Sequence, residues 1–216
     1  MEAFSKNDSF RTASILNCIA VCRLYSRDEE TYPLGETLLL LRQALSIHAN
    51  ALSCADISKN TSRPTALAKA TIINNIGRAL YQQEDFSGAL SMYTEASVLR
   101  KVLLGKGHID VAVSFYNMAD AHCCLGNDSE AISGYDTYVS IASVHLGCGH
   151  PDIASVLTIV GQLYYKMNDC LRAMRYLSRA LNSSVLTYSK TDIKVAIVYN
   201  ILGSASFEAG YLDIAL

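Results

Sequence analysis

The residues best suited to metal binding, acid–base work or redox chemistry are five histidines and seven cysteines. His108 and His150 each stand two residues before an aspartate, Asp110 and Asp152, an arrangement that invites a metal reading. They lie 42 residues apart at equivalent places in successive sequence units. Stacked helices sit about 10 Å apart, whereas zinc holds its ligands at about 2 Å. Helix capping or packing at the joints between units is therefore the expected role. His122 falls on an apolar helical stripe and is expected as a core histidine with its hydrogen bonds made. Cys18 and Cys22 can share one helical face, and Cys123 and Cys124 are adjacent. No Cys-x-x-Cys pair or His-x3–5-His spacing accompanies them. Small core side chains are the expected use, with redox sensing as the alternative. Gly105-Lys106-Gly107 lacks the spacing of a phosphate loop, and neither a Gly-x-Ser-x-Gly elbow nor a zinc-protease helix occurs. The expectation is a protein with no catalytic residue, no cofactor and no metal.

Composition narrows the class. The 216 residues carry 18 Lys+Arg and 20 Asp+Glu, and half are apolar. Low hydrophobicity with high net charge marks disorder, and this chain has neither. A nucleic-acid-binding domain shows a basic excess, so none is expected. The first residues, MEAFSKNDSFRTAS, have no basic stretch followed by an apolar one, so they do not read as a signal peptide. No apolar run approaches the roughly 20 residues of a membrane helix, and no membrane insertion is expected. An odd number of cysteines without a framework reads as reduced thiols, which places the protein in the cytoplasm.

The elements that position these residues repeat. Gly77, Ala119, Gly161 and Gly203 follow one another at intervals of 42, and so do Ala89, Ala131, Ala173 and Ala215. Glu84, Gly126, Asn168 and Gly210 keep the same phase, with turn formers in three of the four copies. Ile76, Met118, Val160 and Leu202 are always apolar. Self-similarity at fixed period signals a repeat architecture. Each unit reads as two helices. Val111, Phe115, Met118 and Leu125 make one helical face, and Ala131, Tyr135, Tyr138 and Ala142 make the next. Between them Gly126-Asn127-Asp128-Ser129 is a turn. The small residues let paired helices approach, so that a large side chain of the partner seats there.

The joints repeat as well. Leu104-Gly105-Lys106-Gly107-His108-Ile109-Asp110 matches Leu146-Gly147-Cys148-Gly149-His150-Pro151-Asp152, while the third joint, Tyr188 to Ala196, keeps only Lys190, Val195 and Ala196. A degenerate first unit carries Asn17, Ala20 and Tyr25, then Leu38 to Ile47. The expected organisation is a flexible N-terminus (1–9), a degenerate first repeat (10–58), a loop (59–65), repeats at 66–107, 108–149 and 150–191, and an incomplete one at 192–216. The sequence stops at Leu216 as a second helix begins, where an open stack ordinarily carries a polar cap. A truncated gene model, a fragment or a covering partner is expected there.

Small residues at 77, 119, 161 and 203, with alanine twelve later, resemble the tetratricopeptide repeat. The period of 42, Asn74-Asn75-Ile76-Gly77, the Leu-Gly-x-Gly-His-x-Asp joint and the tetrads Tyr93 to Ala96 and Leu177 to Ala180 are similar to kinesin light chain repeats. The resemblance implies an all-α, right-handed solenoid of antiparallel helix pairs, about four and a half repeats long. It also implies a groove lined by the first helices. Counting the small residue as position eight, positions five, nine and twelve face that groove. Carried over residue by residue, with neighbours, they include Asn74, Arg78, Tyr81, Tyr116, Asp120, Gln162, Tyr165, Lys166, Asn200 and Phe207. Amides and aromatics there suit an extended peptide. The implied function is a non-enzymatic scaffold recognising a protein or peptide partner, in the manner of cargo or adaptor binding. Attachment to a motor heavy chain stays open, because no heptad coiled coil precedes residue 60. The alternative is a regulatory or oligomerising scaffold within a larger signalling protein.

Overall fold

Apolar residues at helical spacing, broken by glycine and by polar caps, dictate helices throughout. The computed structural model describes residues 6–26, 33–53, 62–187 and 192–210. Ala215, the first part of the third joint and the chain end therefore lie outside the described residues. Every element among the described residues is an α-helix: α1 Lys6–Ser26, α2 Leu34–Ser53, α3 Ser62–Gln82, α4 Phe86–Leu104, α5 Ile109–Cys124, α6 Asp128–Leu146, α7 Pro151–Lys166, α8 Cys170–Thr187 and α9 Ile193–Glu208. This is the all-α helical-repeat solenoid class. α1 begins inside the segment read as a flexible terminus, and α3 begins inside the 59–65 loop. Pro64 falls in the first turn of α3, where its missing N–H has no helical partner to lose.

The chain forms two compact units, Met1–Gly126 and Asn127–Leu216. In the first, α1 packs on α2, α2 on α3, α3 on α4 and α4 on α5, and α1 also touches α3. In the second, α6 packs on α7, α7 on α8 and α8 on α9, with α7 touching α9. Within each unit, helices adjacent in sequence thus pack together, and α1 with α3 and α7 with α9 show first helices of successive repeats meeting.

The small residues do what their spacing predicts. A Cβ added to Gly77 would stand 2.8 Å from the Tyr93 ring, and one on Gly161 would stand 2.6 Å from Leu177 Cγ. Ala89, Ala119, Ala131 and Ala173 have no exposed surface. Tyr93 and Leu177 are the large residues of the two tetrads, so each tetrad supplies the side chain that fills the neighbouring helix's gap.

The turn register is stricter than residue types suggest. Glu84, Gly126, Asn168 and Gly210 have φ of 63°, 76°, 64° and 82°. All four occupy the left-handed position that ends a first helix, where Asp85 N–H reaches back to the Leu80 carbonyl at 2.9 Å and Asp169 N–H to that of Tyr164 at 2.9 Å. Left-handed backbone costs a residue with a Cβ about 1–2 kcal/mol. Replacing exposed Glu84 by Gly should therefore stabilise the first unit by about 1 kcal/mol, read as a higher urea midpoint; a lower midpoint would contradict this turn assignment.

At the joints, Gly105 and Gly147 hold φ near 87° and 86° with extended ψ, a region essentially reserved for glycine. The side chains of His108 and His150 then cap α5 and α7. Each Nδ1 accepts from the backbone N–H two residues on, Asp110 at 3.1 Å and Asp152 at 3.2 Å. Asp192, 42 residues beyond His150, does the same for Lys194 N–H at 2.8 Å. The joint thus demands a side-chain acceptor, and histidine and aspartate both provide one. His122 is half-buried rather than a core residue.

His48, on α2, is the buried histidine. It is 2% exposed, neither ring nitrogen has a well-formed hydrogen bond, and Phe10 of α1 meets it edge-on at 5.2 Å. Burial pulls its pKa below 6.5 and the Lys69 charge adds to this, against an opposing influence from the Thr65 backbone. A depressed base pKa favours the neutral ring in the folded chain. That contribution is complete above about 6.5 and is lost as pH falls below it, because the unfolded histidine takes up the proton first. The melting temperature should consequently fall more between pH 6.5 and 5 in the native chain than in His48→Leu. Parallel pH profiles would contradict it.

Candidate functional site

The first helices carry the residues that the resemblance marks as groove-facing, and the structure distributes them unequally. In the first unit Asn74 is buried, at 8% exposure. Its Oδ1 accepts from Asn117 Nδ2 at 3.1 Å and faces Arg100 Nη1 at 3.4 Å. Its carbonyl is thus committed inside the protein. Arg78, Tyr81, Tyr116 and Asp120 are half-buried. The Arg78 guanidinium lies 4.1 Å over the exposed ring of Tyr25, a cation–π contact that fixes its direction. In the second unit Gln162, Lys166, Asn200 and Phe207 are exposed and Tyr165 is half-buried. Lys166 Nζ is held 2.8 Å from Asp128 in the first turn of α6. Both cations among the groove-facing residues, Arg78 and Lys166, therefore already have partners.

The tyrosines at position twelve form rungs between successive first helices. Tyr81 of α3 meets Cys124 of α5 through its hydroxyl and the sulfur at 3.1 Å. Tyr165 of α7 donates to Glu208 of α9 at 2.6 Å. Both pairs are separated by 43 residues, one repeat plus one residue. Burial, then the Cys124 contact, pushes the Tyr81 phenol well up. The Glu208 hydrogen bond leads the upward shift of Tyr165. Glu208 also accepts from the Cys170 thiol at 3.7 Å, and burial and the carboxylate raise that thiol's pKa. The two rungs tie α3 to α5 and α7 to α9.

The first repeat joins in the same manner at a longer spacing. Asn75 Nδ2 donates to Asn17 Oδ1 at 2.8 Å and Gln82 Nε2 to the Leu24 carbonyl at 3.1 Å, both across 58 residues. Its first helix is thus docked on α3 despite the extra chain within the unit.

Two side-chain clusters stood outside the sequence expectations. Arg100 is buried at 7% exposure and gives Nη1 to Ser114 at 2.9 Å and the Asp110 carbonyl at 3.2 Å, while its Nε has no partner. Burial lowers its pKa, against the Asp110 charge. Its register equivalents are Ala142 and Ser184, so the signal was one charged residue on an otherwise small position. On the second helices, Tyr176 donates to both oxygens of Asp136, at 3.0 and 2.9 Å. Burial first, then that bond, pushes its phenol up to about 12. Among the described residues no group of three or more His, Cys, Asp or Glu stands close enough to hold a metal ion, and no helix is long and apolar enough to cross a membrane.

Known proteins share this architecture. The family model described as tetratricopeptide repeat matches residues 68–143 and 110–184, together more than half of the chain. The chain belongs to the tetratricopeptide repeat family. Among solved structures, this tetratricopeptide repeat protein is similar to a candidate kinesin light chain of Podosopora anserina with nearly identical TPR-like repeats: TM-score 0.72, 17% identity, covering 100% of this chain and 92% of that one. It is also similar to BtubC (BKLC) of P. vanneervenii, with TM-score 0.65 and 19% identity over 99% of this chain and 87% of that one. The likeness is one of fold, of the kinesin light chain-like repeat type. A curated relative, the secreted RxLR effector protein RXLR-C07 of Plasmopara halstedii, is 24% identical over 147 residues, 68% of this chain and 45% of that protein. The chain thus spans about half the length of the curated relative it matches. Tetratricopeptide repeats characteristically form non-catalytic scaffolds for protein–protein interaction.

Proposed function

We propose that the exposed side chains of the first helices bind an extended segment of a partner protein, an adaptor- or cargo-type recognition. The observation that carries this reading is the Tyr165–Glu208 rung at 2.6 Å. It ties α7 to α9 while leaving Gln162, Asn200 and Phe207 exposed on those two helices. A surface fixed before binding leaves only the peptide to lose conformational freedom. Amides bond a peptide backbone as both donors and acceptors, and Phe207 offers an aromatic face. Asn74, whose carbonyl is engaged inside the protein, acts in this reading by bracing α3. Arg78, Tyr81, Tyr116 and Asp120 form the corresponding partly covered surface of the first unit, and Lys166 contributes through its fixed pair with Asp128. Seven cysteines, an odd number without a disulfide-like framework, suit a reducing, cytoplasmic setting.

The test is selection of a displayed peptide library against the native chain, followed by affinity measurement on Gln162→Ala/Phe207→Ala and Tyr165→Phe. The double variant should weaken the selected peptides at least tenfold while melting as the native chain does. The Tyr165→Phe change, which removes only the rung, should weaken them less. Full retention by the double variant would overturn the reading.

A further inference from the structure

The second helices of the later unit carry a feature that the first-helix reading does not use. Two adjoining hollows of about 560 and 570 Å³ lie along α6 and share Asp136 and Ser140. Their α6 lining runs from Ser129 to Ser143. That is about 21 Å of helix at about 1.5 Å per residue, room for roughly six residues of extended chain. The α6 wall is rich in hydroxyls, including exposed Ser129, Ser133 and Ser140.

The opposite side is cationic. α8 exposes Arg172, Arg175 and Arg179 at spacings of three and four, one helical stripe. Arg179 lines the second hollow. Its guanidinium lies 5.3 Å from the ring centre of Tyr176, and that of Arg172 lies 5.6 Å from that of Tyr164. The two tyrosine rings pack at 5.3 Å, so the guanidinium groups rest over an aromatic pair. Asp169 pairs with Arg172 at 3.4 Å. No carboxylate within ion-pair distance of Arg175 or Arg179 is found among the described residues. The floor carboxylate, Asp136, is bonded through both oxygens to Tyr176. The whole chain has a net charge of −2, so this local surplus of positive charge is not a property of its surface at large.

We propose that the cleft between α6 and α8 binds an extended, carboxylate-rich segment of another protein. Charge complementarity selects the occupant. Arginine pairs two-pronged with carboxylates, and resting over an aromatic ring limits the freedom that the Arg172 and Arg179 guanidinium groups give up. Asp136 turns acidic side chains away from the floor and toward the Arg175–Arg179 rim. The serine hydroxyls take the segment's backbone. Gln162, Asn200 and Phe207, the exposed residues of the first-helix reading, line neither hollow.

The experiment is fluorescence anisotropy of the full chain with a labelled decapeptide alternating Glu and Ser, and with its Gln–Ser counterpart. The Glu peptide should bind, weaken with added salt, and exceed the Gln peptide at least tenfold. Arg175→Gln/Arg179→Gln, two exposed changes checked by an unchanged melting curve, should lower its affinity at least tenfold. Asn200→Ala/Phe207→Ala, on the first helices, should leave it within twofold. Equal binding of the two peptides, no binding of the Glu peptide, or an unaltered affinity in the arginine variant would overturn the proposal. Loss of binding only in the Asn200/Phe207 variant would overturn it too, moving the acidic segment to the other surface.

Discussion

Replacing Leu177 by Ala should destabilise the second unit by about 2–5 kcal/mol, and in that background Gly161→Ala should change from harmful to helpful. Leu177 is wholly buried, and its Cγ and Cδ2 would lie 2.6 and 2.8 Å from a Cβ on residue 161. In the native chain the added methyl must displace a packed leucine, an overpacking that costs about 1–3 kcal/mol. Alanine in a helix gains about 0.8–1.0 kcal/mol over glycine, so the net change is unfavourable. With Leu177 cut back to Ala, the obstructing carbons are gone and the nearest remaining atom, the Ala173 carbonyl oxygen, is at an ordinary 3.5 Å. The helix gain then acts alone. Urea denaturation of the four chains in this cycle measures the sign. A loss of equal size in both backgrounds would mean that glycine is there for some reason other than seating its partner.

The second large effect lies in the buried polar network of the first unit. Ser114→Val should cost about 2–3 kcal/mol in the native chain and almost nothing once Arg100 has been replaced by Met. Ser114 is fully buried and accepts from Arg100 at 2.9 Å. Removing it takes a partner from a buried guanidinium that already has an orphan Nε, and an unsatisfied buried donor is expensive. Methionine removes the charge and keeps much of the volume, so the need for an acceptor disappears with it. The later repeat shows that an apolar solution fits: Val156 holds the place of Ser114, Ala142 that of Arg100, and both are buried. Replacing buried charge by apolar groups is often neutral or stabilising. The coupling in the double-mutant cycle is therefore the quantity to measure, and additive losses would show that Arg100 and Ser114 do not act together.

Much of the fold was legible in the sequence because its period is written in residues that have few alternatives. Gly77 and Gly161 face large side chains, and Gly105 and Gly147 hold backbone angles that other residues avoid, so these positions announce themselves. The left-handed position was harder to read at Glu84, where the fold imposes the conformation on a residue that does not favour it. Asp192 escaped notice because a cap requires an acceptor, not one residue type. The candidate site was less legible for a related reason. Position in a repeat places a side chain on a face, but whether it is free depends on neighbours that differ from repeat to repeat. Asn74 is occupied by Arg100 and Asn117, Arg78 by Tyr25 and Lys166 by Asp128. His48 and the Tyr176–Asp136 pair sit in contacts that no repeat-wide pattern encodes.

The first-helix surface is best tested by amide hydrogen exchange on the full chain, with and without a peptide selected from the library. Peptide binding should slow exchange in α7 and α9, around Gln162, Tyr165 and Asn200 to Phe207, while α8 from Arg172 to Arg179 keeps its rate. Slowing confined to α6 and α8, with α7 and α9 unchanged at saturation, would contradict it.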